Sequence, residues 1–214
     1  MKRINWLIAN GMAAFFDFAV GCLIAALVSN YAGVDIGWWF LLGGIFGLLP
    51  DLDFIVPVIR QAFDGKIIEE NHHESVFHWP LPIILAAALA AYLLGGGMWA
   101  AIVGLCIMAH YLHDAFMMGR AGIAWFLRPR AAHWKVIGGK DPSQVEHREW
   151  IRNNWLRPSS LSIAELGLGI LAFMAALQIM SDNATFAVVV GGILIFSTAA
   201  YWILNGISRA HTRA

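Results

Sequence analysis

Asp51 and Asp53 stand one residue apart, directly after Pro50, at the end of the apolar run Ile36 to Leu49. An ionised side chain inside a membrane costs at least about 2.5 kcal/mol, so such a pair requires compensating partners. Residues of the right type occur elsewhere in the chain. His73 and His78 lie in a polar segment, and His110, His113 and Asp114 close a second apolar run. His110 and Asp114 are four apart, so on a helix they project from one face, the spacing with which one helix presents two ligands to one ion. His113, three residues after His110, is within reach as a further ligand or as a partner that orients one. Asp17 interrupts the first apolar run. Metal ligation and a protonated or hydrogen-bonded structural role are both open for it.

Imidazole together with carboxylate suits zinc, manganese or iron, and a set of this size holds one or two divalent ions. Two ions a few ångströms apart activate water and stabilise the leaving oxygen of a phosphoester. Other chemistries fit less well. A zinc-protease helix needs a histidine four residues after His73, and that position is Phe77. A haem ligated by His110 sits poorly with the surrounding carboxylates, which favour a harder metal. Simpler roles stand beside the metal reading: a capping turn at the headgroups for Asp51 and Asp53, and an interhelical hydrogen bond for His110 with Asp114. His72, His133, His147 and His211 lack the spacing and read as surface or interfacial side chains.

The elements that must position these residues follow from composition. Of 214 residues, 59% are hydrophobic and 13% charged, with mean hydropathy +0.66. Several segments therefore face lipid, and the expected fold is all-α: a polytopic membrane protein of about six transmembrane helices. Helix 1 covers about Trp6 to Val28 and carries Asp17, which with the length of the run argues against a cleaved signal peptide. Gly11 is a point at which a short interfacial piece, Ile4 to Asn10, would separate from the spanning piece. Helix 2 begins at Ile36 and should kink or break at Leu49, because Pro50 lacks a backbone donor and disfavours helical geometry before it. Pro80 and Pro82 open helix 3, Gly95-Gly96-Gly97 turns the chain, and helix 4 runs from Met98 to Met118. Helices 5 and 6 cover about Leu161 to Met180 and Ala184 to Ile207. The chain is read as one integral membrane domain, 1–214, in which 119–160 forms a cytoplasmic segment with an interfacial helix over Ser143 to Leu156. Cys22 and Cys106 lie within apolar runs and read as small buried hydrophobes rather than a disulfide pair.

All 14 lysines and arginines fall on one side of this plan, in the amino terminus, the segments after helices 2 and 4, and the carboxyl tail. Both termini are therefore expected in the cytoplasm, with the chain in the inner membrane. The same topology gathers Asp51, Asp53, His73, His78, His110 and Asp114 at the cytoplasmic face.

Asp51-Leu52-Asp53 after Pro50, His73 with His78, His110-Tyr111-Leu112-His113-Asp114, and Gly122-Ile123-Ala124-Trp125-Phe126-Leu127-Arg128-Pro129 together resemble the family of membrane-bound metal-dependent hydrolases. Some of its members are described as LexA-binding, inner-membrane-associated hydrolases. The likeness covers roughly Met12 to Pro129. It implies a multi-helix enzyme whose metal site is built from those aspartates and histidines. The chain departs from the family pattern at Asp17, where a histidine is usual, and at Glu74 and Phe77, where arginine and threonine are usual. Taken together, these readings predict a cytoplasm-facing hydrolase acting on phosphoesters of lipids or membrane-proximal metabolites. Asp17, Asp51, Asp53, His73, His78, His110 and Asp114 are its candidate metal ligands, with zinc or manganese as the ion. Glu74 is the candidate general base, or else a carboxylate orienting a histidine. Arg128 and Arg130 are candidate phosphate binders, and equally determinants of orientation. The expected partners are membrane lipids and a small-molecule or lipid substrate, and basic loops beside a membrane give no reason to expect nucleic acid. The alternative is a metal-binding carrier or sensor without catalysis, although ligands gathered at one face suit a carrier poorly.

Overall fold

The computed structural model describes residues 2–54, 79–118 and 159–181. Among the described residues every regular element is a helix, in agreement with the all-α expectation. Helix α1, Lys2–Tyr31, is continuous through Gly11, so the division considered at that glycine does not occur. A 30-residue helix is about 45 Å long, more than a bilayer core needs. It stops where the Val34 N–H donates to the Ser29 carbonyl at 3.0 Å and the Gly33 N–H to the Asn30 carbonyl at 3.1 Å. This paired closure requires a left-handed residue, and Gly33 supplies it with φ of 66°.

The second apolar segment is not one long helix. It forms a 3₁₀ turn, Gly37–Phe40, then α2, Leu41–Gly47, and then a second 3₁₀ turn, Leu49–Phe54. The break expected ahead of Pro50 is present, with α2 capped at Leu48. Seven residues of α-helix rise only about 10 Å, far short of a bilayer core, so the expected helix 2 is replaced by a short, twice-interrupted segment. Helix α3, Pro80–Gly95, starts on a proline as anticipated, and Gly96 turns the chain into α4, Gly97–Met118. Helix α5, Ser160–Met180, starts on a reciprocal cap between Ser159 and Ser162. The expected helix 6 and the interfacial helix within 119–160 lie outside the described residues.

Helix α1 is the central element and packs against α2, α4 and α5, while α3 lies against α4. Cys22, Ala25, Ala26, Ile102, Cys106, Ala176 and Leu177 form the core where α1, α4 and α5 meet. Both cysteines are buried free thiols, as their setting in apolar runs implied. Val103, Ile107 and Tyr111 form a smaller cluster with α3. The opposite faces of α3 and α5 leave Leu85, Leu89, Leu93, Ile163, Leu168 and Leu171 exposed. Among the described residues, two helical segments, Gly11–Tyr31 and Ser160–Met180, are long and apolar enough to cross a membrane.

The contact between α1 and α2 is made by glycine. A methyl group at Gly21 would strike the Gly43 carbonyl, and one at Gly43 would strike the Gly21 carbonyl. A methyl at Gly47 would lie 2.6 Å from the Asp17 carbonyl oxygen. Gly43 and Gly47 are four apart on one face of α2, the small-residue spacing that lets two helix backbones touch. This approach sets Asp17 beside the end of α2, next to the turn that carries Asp51.

Candidate metal centre

Four elements bring their acids and imidazoles to one place in the bundle. Asp17 comes from α1, Asp51 from the second 3₁₀ turn, His110, His113 and Asp114 from α4, and Glu165 from α5. The turn that ends α2 at Pro50 also aims Asp51 at α4, and the i, i+4 spacing on α4 puts His110 and Asp114 on its inner face.

Both nitrogens of His110 face carboxylates. Its Nδ1 lies 3.3 Å from Asp17 Oδ2, and its Nε2 lies 3.5 Å from Asp51 Oδ1 and 3.4 Å from Asp114 Oδ2. His113 Nδ1 is 2.8 Å from Asp17 Oδ1, and its Nε2 is 3.5 Å from Glu165 Oε1. Phe16 packs against the His113 ring with centroids 4.6 Å apart, which limits its rotation. The cluster is inside the protein: His110 is 1% exposed, Asp17 6% and Glu165 5%, while Asp51 retains 29%. The more open side is therefore the Asp51 side.

One ligand atom each from Asp17, Asp51 and His110 lie within 4.8 Å of one another. Metal–ligand bonds of about 2.0–2.2 Å place ligands up to about 4 Å apart, so an ion shared by these three would require the side chains to turn, because Asp17 and Asp51 face opposite nitrogens of His110. With Nδ1 of His110 as the ligating atom, Nε2 would face Asp114 Oδ2, the arrangement that fixes the tautomer of a metal-bound histidine. The charges point the same way. Four carboxyl groups face two imidazoles, and among the described residues lysine and arginine occur only at Lys2 and Arg3. A divalent cation offsets the surplus of negative charge that these acids carry when ionised.

Of the residues singled out in the sequence, Asp17, Asp51, His110, His113 and Asp114 are brought together. His113 Nδ1 meets Asp17 Oδ1. Asp53 lies in the same 3₁₀ turn as Asp51, but its side chain is outside the described residues. His73, Glu74, His78, Arg128 and Arg130 are likewise outside them. Glu165 was missed by sequence reasoning, although a signal was available: it is the only acid in the apolar run Leu161 to Met180. A lone acid in such a run marks a site in the same way as Asp17 does.

Comparison with protein-family models, with curated proteins and with solved structures finds no match to this chain.

Proposed function

We propose that this chain is a multi-pass inner-membrane protein with both termini in the cytoplasm, and that it is a metal-dependent hydrolase with its His/Asp centre at the cytoplasmic face. The convergence of Asp17, Asp51 and His110 from three elements of an apolar bundle is the observation that carries the metal reading. Hydrolysis is supported by the resemblance of the surrounding motifs to membrane-bound metal-dependent hydrolases, and the substrate class is phosphoesters of lipids or membrane-proximal metabolites. The apolar spans Gly11–Tyr31 and Ser160–Met180 and the one-sided distribution of lysine and arginine support the location.

In this reading Asp17, Asp51 and His110 hold a divalent ion, zinc or manganese, and Asp114 orients His110. A bound ion of this kind supplies activated water near neutral pH and charge for a departing phosphoester oxygen. With Asp17 ionised as a ligand, His113 Nδ1 would donate to its Oδ1, 2.8 Å away, and leave Oδ2 for ligation. Asp53, His73 and His78 complete the ligand set, and Glu74 accepts the proton of the attacking water. Arg128 and Arg130 bind the phosphate oxygens, which a guanidinium matches with two parallel hydrogen bonds.

The test is elemental analysis of detergent-purified protein, followed by a phosphoester hydrolysis screen with Asp51→Asn as control. Wild type is expected to retain a divalent metal and turn over at least one phosphoester, and the variant is expected to lose both. A wild type without metal, or a variant that keeps metal and turnover, sinks the proposal. The burial of His110 and Asp17 favours a second reading, a metal-binding sensor or carrier, because a closed site suits retention better than turnover. Stoichiometric metal with no hydrolysis across the screen selects that reading.

A further inference from the structure

We infer that Glu165 is a positioning residue of the metal centre, acting on Asp17 through His113. The inference rests on the metal reading above and extends it to α5, which contributes no ligand to the three-residue group. Glu165 is the sixth residue of α5, beyond the first turn, and the cap of that helix is made by Ser159 and Ser162. Helix capping therefore does not explain it. A buried acid in an apolar helix needs a partner, and its partner is His113 Nε2 at 3.5 Å.

The ring passes that contact onward. With Nε2 facing Glu165, Nδ1 faces Asp17 Oδ1 at 2.8 Å, while Asp17 Oδ2 turns toward His110. With Asp17 ionised, as a metal ligand is, two arrangements make both His113 contacts attractive: an imidazolium donating at each end, or a protonated Glu165 donating to Nε2. Either one directs the Nδ1 hydrogen at Asp17. Glu165 thereby selects the orientation of His113, His113 occupies one oxygen of Asp17, and the other oxygen is left aimed at the ion. Outer partners of this kind typically change metal affinity by about 10- to 100-fold.

The experiment uses the full chain in detergent, with zinc alone as the probe. Zinc affinity is measured by chelator competition and unfolding temperature on the metal-free protein, for wild type, Glu165→Met, Glu165→Gln, His113→Leu and the Glu165→Met/His113→Leu double variant. Glu165→Met should weaken zinc binding by about 10- to 100-fold without lowering the unfolding temperature of the metal-free protein. Glu165→Gln should restore most of the affinity, since its amide can serve either nitrogen state of the ring. In the His113→Leu background, loss of Glu165 should cost no further affinity. Zinc binding by Glu165→Met equal to wild type overturns the inference and leaves the metal reading standing. A Glu165→Met protein that fails to fold or unfolds at much lower temperature without metal assigns Glu165 to the fold, which also overturns it. Wild type that binds no zinc removes the metal reading itself, and the inference with it.

Discussion

Asp17 is gripped from two directions, by His113 on Oδ1 and by His110 on Oδ2. At this scale its spare lone pairs decide whether an ion can bind, because each oxygen accepts more than one contact. Asp17→Asn keeps the shape and removes the charge, so metal content by elemental analysis should fall to near zero while the helical signal in circular dichroism is retained. Metal removal should also register in stability. An ion that binds only the folded chain contributes about 2.7 kcal/mol at a concentration 100-fold above its Kd. Chelation of wild type is therefore expected to lower the unfolding temperature, whereas chelation of Asp51→Asn should change it little. An unfolding temperature of wild type that chelator leaves unchanged would count against a bound ion.

At the scale of elements, the site depends on a backbone approach that side chains do not make. Gly43→Ala and Gly47→Ala put a methyl group against backbone that cannot rotate aside, and α1 and α2 must separate. Both substitutions should lower stability, within the range of about 1–3 kcal/mol for overpacking. They should also weaken metal binding, since Asp17 is on α1 and Asp51 is in the turn that follows α2. Gly104→Ala is the control. Its methyl would meet Ala88 Cβ at 3.6 Å, an ordinary contact. Relief of helical glycine should leave that protein unchanged or more stable by up to about 1 kcal/mol, measured by thermal or denaturant unfolding. At the start of α5, Ser159→Ala removes the acceptor for the Ser162 N–H. That loss should cost about 0.5–2 kcal/mol, and it should fray the turn ahead of Glu165.

At the scale of the molecule, Asp17, Asp51, His110, His113, Asp114 and Glu165 meet inside an apolar bundle whose outer faces carry exposed leucine and isoleucine. The positively charged segments make a prediction about orientation. Reporter fusions within 119–160 and after Ala214 should read as cytoplasmic, and fusions at Gly96 and Asn183 should read on the opposite side. A cytoplasmic signal at Gly96 would invert the order proposed for α3 and α4. It would also separate the Asp51 turn from the face on which the hydrolase reading depends.

Residue type and local spacing made much of this legible without a structure. The helical class, the stop at Pro50, the proline start of α3, the glycine turn at Gly96 and the shared face of His110 and Asp114 each follow from short-range sterics and periodicity. The aspartates and histidines also stood out because acids inside apolar runs are costly. Other features depend on contacts between segments far apart in the chain, and only the tertiary structure decided them. Periodicity could not say that α2 would begin only at Leu41, after a 3₁₀ turn, or that Gly43 and Gly47 would bring it against the backbone of α1 at Gly21 and Asp17. It could not assign His113 to Asp17, 96 residues away, or join Glu165 to the cluster, because those distances are fixed by how α1, α4 and α5 pack. The sequence by itself determined which groups require partners, and the packing of helices through glycine determined which partners they have.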